Sequence, residues 1–184
     1  MENNIAPGTL LISDPFLKDP NFVRTTVLIC DHQAEGSFGF VLNKKKEEVL
    51  GDLIEDLEGN TFPVYFGGPV QTNTLHFLHR CPQLITGGIE IQKGIFWGGD
   101  FAEVIALLLR QEIKPQLIRF FVGYSGWGEG QLQQEIDDKS WILSNCSKQL
   151  LFNTPPENSW KLALKELGGE YTMMVNYPLD PQLN

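Results

Sequence analysis

A chain of 184 residues with 42% apolar content is long enough for one sizeable core and short for two, so a single domain over residues 1–184 is expected. The formal net charge of −9 and pI near 4.8 work against a phosphate backbone or an anionic lipid surface as partner, since both need a basic face.

Gly8 to Ile12 and Thr25 to Cys30 are β-rich apolar runs, separated by Ser13 to Asn21, a stretch dense in turn formers and helix breakers. Phe38 to Leu42 reads as a third strand, joined to the second by the polar turn Asp31 to Gly36, and so as half of an antiparallel hairpin. Lys44-Lys45-Lys46 is followed at once by Glu47 and Glu48, which cancel most of its field. A solvated turn is expected there rather than a nucleic-acid contact. Leu50, Leu53, Ile54 and Leu57 fall at i, i+3, i+4 and i+7 and predict a short amphipathic helix capped by Gly59.

Val64 to Phe66 returns to strand and runs into Gly67-Gly68-Pro69-Val70. Leu75 to His79 and Ile89 to Phe96 supply further extended pieces. Asp100 followed by Glu103 marks a helix start, with Phe101, Val104, Ile105 and Leu108 as its apolar stripe and Pro115 as its stop. Leu117 to Val122 is apolar on both faces, as for a central strand. Gly123 to Leu132 then places four glycines within eight residues around Trp127, which predicts a sharply folded loop able to expose backbone N–H groups.

A short helix over Gln131 to Asp138 and an extended piece at Trp141 to Leu143 follow. Thr154-Pro155-Pro156-Glu157 combines a capping box with proline at the first helical position, opening a helix that buries Trp160, Leu164 and Leu167 before Gly168. Tyr171 to Val175 is expected to return as a strand. Neither repeats nor linkers divide the chain, and this irregular order of strands and helices indicates an α+β fold rather than a doubly wound parallel sheet.

Most chemistry-bearing motifs fail on inspection. Gly123-x-x-x-x-Gly128 has Walker A spacing, but Glu129 and Gly130 stand where lysine and serine or threonine would hold phosphate and magnesium. Ser125 lacks the glycine two residues on that a nucleophile elbow requires, because Trp127 occupies that place, so Ser125 reads as structural. The dinucleotide fingerprint fails at Gln131, where its third glycine belongs. His76 and His79 are three apart on a strand and point to opposite faces, so no metal site is expected from them and Cys81, and His32 reads as a surface residue.

Cys30, Cys81 and Cys146 are widely spaced, without a disulfide framework or zinc ribbon. Glu135, four residues before Lys139, reads as half of an exposed helical ion pair. Met1 to Gly8 carries no basic and apolar leader, and no apolar run is long enough to span a bilayer, so a soluble, cytoplasmic protein is expected.

Several segments together carry a resemblance: Gly8 to Pro15, Asp19 to Arg24, Gly36 to Asn43, Gly67 to Val70, Gly123 to Leu132, and Phe152 to Pro155 with Trp160. In order and spacing, over nearly the whole chain, they resemble the AlgH/YqgE family of bacterial proteins, whose members carry no assigned reaction. The resemblance implies a mixed, mostly antiparallel sheet curled into a partial barrel with helices packed outside. Ser37 and Ser125 stand where that family's pattern has a small alanine. Similar members have been labelled transcriptional regulators, which an acidic chain lacking a helix-turn-helix signature does not support.

The leading expectation is a binding module without catalysis, taking a small molecule or a protein where the glycine segments meet. The candidate residues are Asn43, Gly67, Gly68, Pro69, Tyr124, Gly126, Trp127, Gly128, Gly130 and Gln131. The alternative is a hydrolase or transferase using Glu129 or Glu135, with loop N–H groups stabilising an anion. A purely structural partner comes third, and direct DNA binding last. No catalytic set, metal or cofactor is indicated, and neither nucleic acid nor membrane is expected as partner.

Overall fold

The computed structural model describes residues 4–180 and 182. The amino-terminal part is built from β1 (Thr9–Ser13), β2 (Thr26–Gln33) and β3 (Gly36–Val41), followed by β4 (Lys45–Val49), α1 (Leu50–Leu53) and β5 (Pro63–Phe66). Next come β6 (Val70–His79), β7 (Ile89–Gln92), β8 (Ile95–Trp97) and α2 (Phe101–Leu109). The long β9 (Ile118–Gly128) leads to α3 (Gln131–Asp137), β10 (Trp141–Asn145), α4 (Pro156–Leu167) and α5 (Tyr171–Met174).

The strands run in the order β10-β1-β2-β3-β9-β6-β8-β7, with β5 lying parallel to β9 and β4 antiparallel to β5. All other pairings among the described residues are antiparallel. The fold is therefore α+β with a mixed, mostly antiparallel sheet. The sheet curls until its far end returns to its start. The Gln92 amide on β7 donates to the Cys146 carbonyl beyond β10 at 2.6 Å, and Gly8 before β1 packs against Ile91 and Gln92.

Strand alternation sorts the core. Leu10, Ile12, Leu28, Phe40 and Phe121 point to one face, where they meet Leu150, Leu151, Trp160 and Leu164. Their chain neighbours Leu11, Val27, Ile29 and Val41 point to the other, against Leu132 and Ile136 of α3, while Phe120 packs with Val104 and Leu108 of α2. Both faces of the central strands are covered, which is why these runs are apolar without alternation.

Several expectations are corrected. The glycine-rich segment after Val122 is a strand: β9 runs on to Gly128, with Gly123 left-handed where the Gly68 and Val70 carbonyls approach it. Lys45 to Val49 is an edge strand rather than a turn; its outward charges suit an edge and discourage further pairing. The helix from Leu50 breaks at Ile54, which is extended, and resumes as a 3-10 turn over Glu55–Leu57, so that the Gly51 N–H reaches the Asn60 carbonyl at 3.0 Å.

The segment Ile89 to Phe96 is a hairpin turning at Gly94, where φ is +76°. Helix α2 stops at Leu109, well before Pro115, with Gln111 left-handed behind it. Thr154 caps nothing: its hydroxyl donates to the Gln149 carbonyl at 2.8 Å, closing a π-helical turn over Gln149–Asn153, although Pro156 does open α4. Tyr171 to Met174 is helical, since Tyr171, Met174 and Val175 reach the core with spacing i, i+3, i+4.

Asp100 is the side-chain cap of α2, its Oδ1 accepting from Ala102 N at 2.9 Å and Glu103 N at 3.2 Å. Asp100→Ala is expected to cost about 1 kcal/mol, visible in a thermal melt as a fall of roughly 2–4 °C for a chain of this size.

Candidate functional site

The two glycine segments meet backbone to backbone. A Cβ on Gly67 would lie 2.3 Å from the Gly123 carbonyl oxygen, and one on Gly68 would lie 2.2 Å from Tyr124 carbonyl atoms. The Gly67 carbonyl accepts from Val41 N at 2.8 Å and from the buried Ser125 hydroxyl at 3.0 Å. This contact is sealed, and the space for a ligand lies beside it.

That space is a cleft of about 650 Å³ over β3, β6, β8 and β9. Its walls are aromatic: Phe38, Trp97, Tyr124, Trp127 and His76. The Phe38 ring sits 4.8 Å from Trp97 and 5.9 Å from Tyr124, and Tyr124 stands edge-on to His76 at 6.0 Å. The β2–β3 hairpin forms the rim and contributes Asp31, Gln33 and Glu35. Among the described residues no lysine or arginine lines the cleft.

Burial holds the His76 imidazole below its ordinary pKa, so it is neutral at pH 7. Its tautomer follows from its partner. The Thr74 hydroxyl gives its one proton to the Gln71 carbonyl at 2.7 Å, so the 3.0 Å contact with His76 is Nε2–H donating to Thr74.

Trp127 separates this cleft from a smaller one, of about 300 Å³, lined by Phe22, Pro69, Gly126, Gln131, Glu135 and Trp141 among others. Glu135 Oε2 accepts both the Trp127 indole N–H at 2.9 Å and the Trp141 indole N–H at 2.8 Å. Its Oε1 takes the Gln131 amide at 3.1 Å. Glu135 is thus a clamp for two indoles, a correction to its reading as half of an ion pair with Lys139.

The candidate residues named from the sequence distribute unevenly. Tyr124, Gly126 and Trp127 line the larger cleft, while Pro69 and Gln131 reach only the smaller. Gly67 and Gly68 form the sealed contact behind them. Gly128 pairs with Gly36 and donates its N–H to the Gln131 side chain at 3.0 Å, and Gly130 is the left-handed residue that starts α3. Asn43 ties the entrance of β2, accepting from Thr26 N at 3.0 Å and donating to the Arg24 carbonyl at 2.9 Å.

The binding set named from the sequence left out Asp31, Glu35, Phe38, His76 and Trp97, which line the cleft. The signal available for Phe38 was its place in a strand that had to pair with something. That partner is β9, where Phe38 stands opposite Gly126.

His79 and the buried thiols are committed elsewhere. His79 donates from Nε2 to the Gly98 carbonyl at 2.9 Å and accepts from Cys81 N, so it shares nothing with His76. Burial pushes the Cys146 thiol to about 12, with nearby Glu166 acting in the same direction, and burial also raises Cys30 well above its usual range. Both thiols are protonated and unreactive at neutral pH. Among the described residues no group of three or more His, Cys, Asp or Glu could hold a metal, and no helix is long and apolar enough to cross a membrane.

Fold and cleft together define a class: a curled-sheet α+β protein with a glycine-sealed seam and an aromatic recess beside it. The AlgH-like family model matches residues 10–172, and the chain belongs to that family. A UPF0301 protein of Chlorobium limicola is 41% identical, over 99% of this chain and 97% of its own length. One from Bacteroides thetaiotaomicron is 39% identical over 99% and 94%. The solution structure of AlgH from Pseudomonas aeruginosa superimposes with a TM-score of 0.76 at 25% identity, covering 97% of each chain. A crystal structure of a protein from Corynebacterium diphtheriae has the same TM-score at 20% identity, covering 96% and 95%, and is similar in fold.

Proposed function

We propose that this protein is a non-catalytic binding module that takes a small organic cation in the aromatic cleft. The observation carrying this reading is the lining: five aromatic rings including neutral His76, carboxylates at the rim, and no basic side chain there among the described residues. Ring faces attract ammonium groups, and the carboxylates and overall charge of −9 add a favourable field. A recess of about 650 Å³ suits a metabolite-sized ligand.

Absence of catalysis is supported by what the obvious reactive groups are doing. Glu135 holds two indoles, Ser125 donates to a main-chain carbonyl inside the core, and Cys30 and Cys146 are kept protonated. Three free, buried cysteines suit a reducing compartment, so we place the module in the cytoplasm. Any regulatory role then works through the ligand rather than through direct contact with DNA.

Titration calorimetry with choline, benzyltrimethylammonium and the neutral choline isostere 3,3-dimethylbutanol tests the reading. Saturable binding of the two cations is expected, weakened about tenfold or more by Trp97→Ala or Tyr124→Ala. Equal binding of the isostere, indifference to both substitutions, or no binding of either cation would refute it.

A further inference from the structure

A third cavity, sharing no lining residue with either cleft, is lined by a buried arginine. Arg119 on β9 is only 7% exposed, yet no carboxylate among the described residues pairs with it. Its guanidinium carbon sits over the Tyr65 ring, 4.2 Å from the centroid, and Nη1 donates to the Leu42 carbonyl at 3.2 Å. A guanidinium carries five N–H donors in a fork; only Nη1 has a partner among the described residues, and no Arg119 nitrogen is sealed from the cavity, so the rest of the fork is open to it. Beside it is a cavity of about 90 Å³, walled by Tyr65, Phe152, Pro63 and Pro115 with Gln116 at its edge. The Arg80 guanidinium stands 5.7 Å from the ring of Phe152 and adds positive charge behind that wall.

A cation taken out of water without a counter-charge is costly, and a buried arginine is ordinarily paired. Here the compensating group is absent from the described chain while space for it is present. The volume holds a few water molecules or one small oxyanion head. We propose that Arg119 and its cavity form a binding site for a small oxyanion, a carboxylate or phosphate group, held by the open fork of the guanidinium. The flat walls and the fork match the paired oxygens of either group. Gln116 supplies a further donor at the mouth. This site is independent of the aromatic cleft and stands or falls without it.

The test uses the full chain, with sodium acetate and sodium phosphate compared against sodium chloride at equal ionic strength. Thermal melts and the NMR resonances of the Arg119 Nε–H and Gln116 side-chain amide are the readouts. The proposal expects saturable shifts of both resonances and a raised melting temperature with at least one oxyanion, and neither effect with chloride. Acetate alone acting identifies a carboxylate site, and phosphate alone a phosphate site.

Arg119→Met removes the unpaired charge while keeping apolar bulk, so it is expected to fold, to melt no lower than wild type in chloride and to lose the oxyanion response. Arg119→Lys keeps charge without the fork and is expected to weaken the response about tenfold. Should Arg119→Met not fold, the wild-type resonances and Arg119→Lys decide. Unmoved resonances in acetate and phosphate, or an oxyanion response retained by Arg119→Met, overturn the proposal.

Discussion

Gly68→Ala is expected to lower the melting temperature by about 10 °C, from a loss of roughly 3–5 kcal/mol. The new methyl carbon would lie 2.2 Å from the carbonyl carbon and oxygen of Tyr124 and 2.3 Å from Ser125 N, distances that contacting atoms do not tolerate. The φ of +154° adds backbone strain for any residue bearing a Cβ. None of these neighbours can swing aside, because all belong to the backbone of β9, which is held by β3, β5 and β6 at once. The chain must open its central seam or unfold.

Gly59→Ala is the matched control: φ is +83°, but nothing lies within 4 Å of its added Cβ, so its cost is held to about 1–2 kcal/mol, that of a left-handed residue. Thermal and urea melts of the two variants separate conformational strain from steric exclusion. Equal losses would mean that the glycine segments are not interlocked. A larger loss for Gly68→Ala ties glycine at this position to the close approach of two strands.

That result bears on what the sequence can reveal. The run Gly123 to Gly130 was visible as unusual, and the glycines of both segments do come together. The run does both things at once: Gly130 is a left-handed turn into α3, while Gly123 is left-handed and meets the Gly68 backbone, and local pattern does not tell a bend from a close backbone approach. Only the partner strand decides, and Gly67-Gly68 is more than fifty residues away in the chain.

The same limit applies to the cleft. Phe38, His76, Trp97 and Tyr124 come from four strands, and each alone has the pattern of an ordinary core aromatic. What brings them together is register: β3 pairs with Ser125 to Gly128 of β9, β6 pairs with Ile118 to Tyr124, and β6 shifts register between Val70 and Leu75. Elements with strong local signals were legible: the Asp100 cap, the β2–β3 hairpin and the both-face burial of Phe120 and Phe121 all follow from short-range chemistry. Those decided by long-range contact, such as the edge strand at Lys45–Val49, were not.

Glu135→Leu is expected to destabilise the protein by roughly 2–6 kcal/mol, because it orphans two indole N–H groups at about 1–3 kcal/mol each. Trp127 and Trp141 are 5% and 4% exposed, and only the cleft of about 300 Å³ beside them could admit water in place of the lost acceptor. They stand edge to face at 6.2 Å, with Phe22 5.5 Å from Trp141, and the single oxygen Oε2 sets the angle of both rings. Glu135→Gln keeps one acceptor oxygen but loses the charge, and its amide introduces a donor into a site that offers only donors. Its expected loss is smaller, about 1–2 kcal/mol.

Urea unfolding measures both losses, and tryptophan fluorescence reports whether the indoles have shifted toward water. This pair also separates the structural role of Glu135 from a catalytic one. A clamp predicts graded stability loss with a red-shifted emission, and cation binding in the cleft weakened in proportion to the displacement of Trp127. A general acid or base predicts the reverse: Glu135→Gln would be as stable as wild type, with unchanged fluorescence, and would abolish an activity. The three hydrogen bonds already converging on the carboxylate favour the clamp, since a group that must exchange a proton with substrate needs a free oxygen facing it.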